Sequence, residues 1–580
     1  MFRHIVAIMG ISVIIGTSVW ADPLIRNWAS SGGQVEFKEN EQDLIYKVKE
    51  GDQIIFTITT NEPCVHYWKV WKGSCVLHTS KKKKTTASQF AFTVPDEKAS
   101  WDIEVEVYYR KPAIGPYRKN YKRWSITTSA IRLVKPGESI QEAINSLPKG
   151  GGIVELSAGM HQIGRTVYIA KSNITLRGAG ANRTTIRCPQ KHTVIIVSAW
   201  QAEATKRSNY VYNSMIYKQH GNWFHDIAMK MIKENNKNIS INPPEKDRFI
   251  SNVIVEELCI KGEGEAKARG QSGLRFFFVH DCQVCNVKVE ECAMHGIGWA
   301  YCFRMLMENC KLIHNGVFDP FGSFACEIIN NEFINSWRFH GLKFNGGGLY
   351  LVRGNRWVKP ADSIYFYAGG PFTFINNVID GSRRSGISIH LSSGNLIRNN
   401  IIMNCKGAGI YIFGTTHGAS HRWKSCLYNN VIYRNKKDGL FLKENIDTYE
   451  IDLRNNIIVG NSGWGIRVSA EKSKKKGLLT FKYNNVWNNA KGAYEGIAPD
   501  ANSISTDPLF ADPSAGDFHL KSKAGRWNPK LCKWVKDSVS SPCIDAGDPE
   551  DKFSNEPKPN GGRINIGAYG NTIEASKSGR

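Results

Sequence analysis

The chain repeats itself along more than a third of its length. Asparagine recurs in one local context at positions 286, 309, 331, 355, 377, 400, 430, 456 and 485, with intervals of 23, 22, 24, 22 and 23 residues that later stretch to 30, 26 and 29. Most copies continue through a short polar turn into Gly-Φ-x-Φ, where Φ is apolar: Gly296-Ile-Gly-Trp, Gly341-Leu-Lys-Phe, Gly386-Ile-Ser-Ile, Gly409-Ile-Tyr-Ile, Gly439-Leu-Phe-Leu and Gly465-Ile-Arg-Val. Ser363-Ile-Tyr-Phe holds the same place in its own copy. A period this short belongs to a solenoid. The two Φ residues of each copy share one strand face, and the residue between them shares the other with the residue that follows. Parallel strands stack about 4.8 Å apart, so each copy can be one coil. Asparagine tolerates the left-handed backbone of a tight turn, and stacked asparagine amides bond to one another. A leucine-rich repeat needs a different Leu and Asn signature, and a propeller needs longer repeats. The pattern predicts an all-β parallel β-helix.

Other parts of the chain differ. Residues 1–21 carry Arg3, an apolar run from Ile5 to Ile15 and small residues at Val19 and Ala21, which reads as a signal peptide. The run is short for a membrane span and no later segment is apolar enough, so an exported, soluble chain is expected. Residues 22–129 alternate in the strand manner (Ile54, Phe56, Ile58; Ile103, Val105, Val107) and predict a β-sandwich-like domain of roughly seven strands. Tyr67, Trp68 and Trp71 there are either core or a sugar-stacking platform. Residues 130–500 make up the β-helix. Ser139 with Glu142 forms a capping box, and Ile140, Ala143, Ile144 and Leu147 line one face of a short helix suited to covering the solenoid's open end. Strands are expected at Gly152–Leu156 and Ile174–Gly178. Residues 198–249 interrupt the rhythm with a helical face of Trp223, Ile227 and Met231, either walling a groove or packing as an arm. Residues 501–580 form a C-terminal cap and tail.

Fourteen cysteines are compatible with export. Cys64 with Cys75 and Cys532 with Cys543 are candidate disulfides. Cys282-x-x-Cys285 has no second pair at a zinc-ribbon spacing, which favours small buried side chains over a metal site. The formal charge of +24 loses one arginine with the leader, and 24 − 1 leaves +23. A basic exported protein meets acidic polysaccharide more readily than nucleic acid, so no nucleic-acid partner is expected.

This pattern resembles the pectin-lyase-like family of right-handed parallel β-helices, over roughly residues 131–570. Gly137-Glu-Ser-Ile-Gln-Glu-Ala-Ile144 looks like that family's opening cap. Asp507-Pro-Leu-Phe, Gly516-Asp-Phe-His-Leu, Ser541-Pro-Cys-Ile-Asp-Ala-Gly-Asp and Gly562-Arg-Ile-Asn-Ile-Gly-Ala-Tyr569 look like a tail common in exported bacterial β-helix proteins. The resemblance implies a right-handed solenoid, and it favours lyase or epimerase chemistry on pectin or alginate. The calcium-binding Asp set of pectate lyases does not align. Asp319-Pro-Phe-Gly only echoes the Asp-Pro-His-Asp signature of alginate epimerases.

The outward positions of successive coils are Gly298/Ala300, Lys343/Asn345, Tyr365/Tyr367, Ser388/His390, Tyr411/Phe413, Phe441/Lys443 and Arg467/Ser469. Stacked, they make one continuous surface of rings and cations, suited to sugars and their carboxylates. Uronate lyases and C5-epimerases must neutralise a carboxylate, remove the C5 proton and donate a proton. Lys343, His390, His340, Tyr365 and Arg338 are the candidate catalytic residues. Lys343 or His390 would be the base, a tyrosine the acid, and Arg338 or Arg384 would hold the carboxylate. Tyr367, Tyr411, Asn345, Ser388, Arg384 and Arg467 are candidate substrate contacts. His340 and His295 hold the same place before a Gly, which also fits a structural repeat. The metal requirement stays open, with Ca²⁺ one way to neutralise the carboxylate. A glycoside hydrolase would pair Asp319 with Asp362 across two coils, and a non-catalytic glycan-binding or structural surface protein would need only the rings. A monomer acting on acidic polysaccharide is expected.

Overall fold

The computed structural model describes residues 25–579 apart from 32–33, 41–42, 48–52, 73–74, 94–99, 109–119, 128–129, 200–221, 244–248, 265–269, 338–340, 414–422, 444–449, 470–478 and 499. The leader, Arg338 and His340 therefore lie outside the described residues.

From Ala130 onward the strands stack into three parallel sheets. Sheet 1 runs from Ala130–Val134 to Leu479–Lys482 in 13 strands, sheet 2 from Gly159–Gln162 to Asn485–Trp487 in 12, and sheet 3 from Val167–Ile169 to Gly492–Glu495 in 12. Twelve strands at about 4.8 Å make a face roughly 53 Å long. The inward Φ residues fill the core: Ile297, Trp299, Leu342, Phe344, Ile364, Phe366, Ile387, Ile389, Ile410, Ile412, Leu440, Leu442 and Ile466 are all buried. Each such side chain contributes about 1.5–3 kcal/mol by leaving water. The Gly of Gly-Φ-x-Φ is set by crowding, since a Cβ on Gly409 would lie 2.3 Å from Ile432 Cγ2.

The capping helix forms as Ile140–Ser146, with Ser139 accepting from Glu142 N and Ile140, Ile144 and Leu147 packed on the first coils. Strands Gly152–Leu156 and Ile174–Gly178 appear as expected.

The asparagine ladder is present but shifted from the simple count. Nδ2 of Asn331 donates to Oδ1 of Asn355, and so on through Asn377, Asn400, Asn430, Asn456 and Asn484 at 2.9–3.1 Å. Two tasks assigned to one residue are split between neighbours. The ladder residues point inward. The residue before each, Asn330, Gly354, Asn376, Asn399, Asn429, Asn455 or Tyr483, takes the left-handed backbone. Asn286 and Asn309 belong to this outer set, with φ of 54° each. At the far end Asn484, not Asn485, ends the ladder and donates its N–H to Ser503. A second ladder, Asn435–Asn461–Asn489, runs beside the first.

The outer asparagines hold the C-terminal segment. Asn399 Nδ2 donates to the carbonyls of Ala568 and Gly570, and Asn429 Nδ2 to those of Asn565 and Gly567. Asn455 accepts from Asp548 N and donates to Asp551. Phe510, Phe518, Leu520, Ile544 and Ile566 then cover the outer face of sheet 2 around Val431, Tyr433 and Ile457.

The insertion packs as an arm. Residues 222–233 include a helix whose Phe224, Ala228 and Met231 bury against Phe303, Ala325 and Leu349 of the coils, with Trp223 and Ile227 partly buried beside them. Arg304 pins the arm, donating twice to Asp281 and once to the Ile239 carbonyl. Burial alone would raise the Asp281 carboxyl, but hydrogen bonds from Arg304 and His280 bring it to about 2.

In residues 25–127 the described strands pair as one mixed seven-stranded sheet. Ile54, Phe56, Ile58, Ile103 and Val105 are buried as the alternation requires. Trp68 is core and not platform, fully buried and stacked on Phe90 at 5.6 Å. The Trp71 side chain lies outside the described residues. The Cys64 and Cys75 side chains lie outside the described residues. Cys64 stands opposite Thr85 and Cys75 opposite Lys72, eight residues apart on one strand, which is about 26 Å. Cys532 and Cys543 are not joined in a disulfide, nor are Cys282 and Cys285. Burial keeps thiols such as Cys310 and Cys326 protonated, pushed up to about 12. Among the described residues no helix is long and apolar enough to cross a membrane.

Candidate active site

The C-terminal segment covers the later strands of sheet 2, and sheet 3 presents two outward columns. Strand register carries the first through Arg275, Gly298 and Asp319, then Lys343, Tyr365, Ser388, Tyr411, Phe441 and Arg467. Phe321 pairs with Asn345, which sets Asp319 beside Lys343. The second column runs Phe277, Ala300, Phe321, Asn345, Tyr367, His390 and Phe413. The period-2 parity read from the repeats is the observed one.

Four of the expected residues converge. Tyr365 Oη and His390 Nδ1 are 2.9 Å apart, although the two residues sit on neighbouring coils in different columns. The imidazole stacks on Phe413 at 4.4 Å and meets Tyr367 at 5.3 Å. Lys343 Nζ lies 5.5 Å from the centre of the Tyr367 ring. Asn345 flanks Tyr367 in register. Ser388, buried between Tyr365 and Tyr411, donates to Ser363 and forms the floor. Burial lowers the pKa of His390 below its ordinary 6.5. Burial, then the neighbouring Tyr367 and Asp362, pushes Tyr365 up to about 12.

A ring surface continues from there. Tyr411 stacks on Phe413 at 4.6 Å and on Phe441 at 5.4 Å, and Arg467 closes the row 4.8 Å over Phe441. Arg467 is therefore four strands from Tyr365, about 19 Å. Arg384 is off the columns. It is exposed in the turn before strand Ile387–His390, 3.5 Å from Asp362. Asp362 likewise precedes its strand, so it does not join Asp319 as a carboxylate pair on the column. His295 is buried against Ser272, with burial and then Arg275 holding its pKa well below 6.5, as a structural repeat residue.

Two further residues stand on the column outside the expected lyase set. Asp319 lies on a coil where Val317 takes the place of the glycine, at the outward place of Val317-Phe-Asp-Pro-Phe321. Burial raises its carboxyl to about 6 against the pull of Arg275 and Lys343. Arg275 lies along the bare surface of Gly298, where a Cβ would come 3.4 Å from Nε. It packs over Phe277 and is lowered to about 10 by burial. Asp319 Oδ1 and Arg275 Nε and Nη1 are buried without a hydrogen-bond partner. Among the described residues no group of three His, Cys, Asp or Glu side chains is placed to hold a metal.

A profile described as "right handed beta helix region" matches residues 280–422, and one described as "disaggregatase related" matches residues 424–547. Among curated proteins none matches at a significant level. Solved structures similar to this chain include the mannuronan C-5 epimerase AlgE6 A-module of Azotobacter vinelandii, at 15% identity over 64% of this chain and 94% of that one, TM-score 0.42. The family 28 exopolygalacturonase of Yersinia enterocolitica is 12% identical over 78% and 98%, TM-score 0.35. The GH87 α-1,3-glucanase of Streptomyces thermodiastaticus is 10% identical over 79% and 89%, TM-score 0.37. These similarities assign no activity. From its repeats, its three stacked sheets and the matching profile, the chain folds as a right-handed parallel β-helix.

Proposed function

We propose that this protein is exported and acts as a monomer on an acidic polysaccharide, removing the C5 proton of a uronate on the outer face of sheet 3. The observation that carries this reading is the 2.9 Å Tyr365–His390 pair, one coil from Lys343. With its Nδ1–H donated to Tyr365 Oη, His390 keeps a lone pair on Nε2, and its lowered pKa leaves that nitrogen neutral at ordinary pH. Lys343 faces the uronate carboxylate and stabilises the charge that develops when the C5–H bond breaks toward His390. In a lyase the C4–C5 double bond then forms, the C4–O bond breaks, and Tyr365 gives its proton to the leaving oxygen. The phenolate recovers a proton from the imidazolium across the same hydrogen bond. In a C5-epimerase the proton returns to C5 from the opposite face. Asp319, beside Lys343, is the further group able to exchange a proton.

The test is incubation with pectate, alginate, heparan and chondroitin, with and without Ca²⁺, following ultraviolet absorbance from the new double bond. His390→Ala and Tyr365→Phe should each lower turnover by about 10²–10⁴-fold with the fold intact. Unchanged turnover in both variants removes this site. A second reading rests on Tyr411, Phe413 and Phe441, whose rings extend beyond the proton-transfer pair and suit a non-catalytic glycan platform. It predicts retarded migration in an acidic-glycan gel without turnover.

A further inference from the structure

Two carboxyl groups in the C-terminal segment, away from sheet 3, are buried with oxygens that bond to nothing. Asp545 is 8% exposed and Glu556 4%. Both oxygens of Asp545 and Oε2 of Glu556 lack a hydrogen-bond partner, and among the described residues no cationic side chain pairs with either group. They are held close together. Asn565 accepts Asp545 N at 2.8 Å and donates its own N–H to Glu556 Oε1 at 2.9 Å, where Asn571 N also donates. Burial, with Asp545 nearby, pushes Glu556 up to about 7. The backbone of Gly561, at φ +40°, lies directly on the Asp545 carboxyl, where a Cβ would fall 2.1 Å from Oδ2. The loop thus leaves room at Gly561 for the Asp545 carboxyl and for no side chain.

Buried carboxylates without partners are strongly disfavoured, and two together more so. What the site lacks is a cation. Its donors are all oxygen, with no imidazole or thiolate, which selects a hard ion, and an irregular loop suits the flexible coordination of calcium better than the strict octahedron of magnesium. We propose that Asp545 and Glu556 bind Ca²⁺, with loop carbonyls and water completing the shell. The ion fastens the 556–562 loop to the segment that grips Asn429 and Asn455 on the solenoid. Two carboxylates place the affinity in the weak range of extracellular modules, about 10⁻⁴–10⁻³ M. The site is separate from the sheet 3 chemistry and does not depend on it.

The test uses the whole mature chain, stripped with chelator and titrated with CaCl₂ by calorimetry and thermal melting. The expected result is about one Ca²⁺ per chain and a melting temperature raised by roughly 2–5 °C at about 10 mM Ca²⁺. Asp545→Asn and Glu556→Gln should each abolish the increment while melting, in chelator, no lower than the native chain, because each removes a buried charge. Absence of both binding and stabilisation in the native chain overturns the proposal, as does an increment retained by folded variants. Should a variant not fold, the native titration decides alone.

Discussion

His390 is gripped by rings on two sides and by a phenol at Nδ1, and that environment sets how activity should respond to pH. A general base must be neutral. Because burial holds its pKa below 6.5, the rate should fall with acidity only as pH drops through that lowered value. A pH–rate profile whose acid limb lies above 6.5 would contradict this assignment. Asp319→Asn should remove any inflection near pH 6, and an inflection that survives would exclude Asp319 from proton transfer. Lys343, Tyr365, Tyr367, Ser388, His390 and Tyr411 were legible from the parity of Gly-Φ-x-Φ alone. Asp319 was legible only as half of a hydrolase pair, because Val317 stands where its coil would carry the glycine. Arg275 lies in Gly273-Leu-Arg-Phe276, one coil before the first copy counted, and the missing side chain of Gly298 lets its guanidinium lie along the column.

At the scale of elements, the ladder asparagines bind coil to coil through interior amides. Asn430 donates to Ile397 O and Asn456 Oδ1 and accepts from Asn400, and all three asparagines are buried. Asn430→Ala strands these partners and should cost about 2–4 kcal/mol, read as a lower denaturant midpoint. A loss under about 0.5 kcal/mol would show that the ladder contributes little. The repeat revealed that asparagine matters, yet assigned 286, 309 and 485 to the wrong set. The doublets Asn399-Asn400, Asn429-Asn430 and Asn455-Asn456 divide one sequence signal between an inward amide and an outward left-handed turn. A spacing count cannot tell which of two adjacent asparagines faces in.

Across the whole molecule, long-range packing decides which face is available. The C-terminal segment covers the later strands of sheet 2 and the described part of the insertion packs on the coil turns, while sheet 3 carries the aromatic columns. Neither docking is visible in periodicity, because the contacts are made by irregular backbone. The cysteines follow the same logic of burial. Among the described residues twelve are outside any disulfide, so denatured, unreduced protein should titrate at least twelve thiols, and the native protein should react slowly at its buried ones. A substantially lower count would show disulfides that this fold does not contain. The central claim concerns C5 of a uronate, and proton NMR of polyuronates incubated with the protein in D₂O tests it most directly. The account predicts loss of the H5 signal from one polymer, by elimination or by exchange, and its retention with His390→Ala. Full retention of H5 on every polyuronate with the native protein would contradict it.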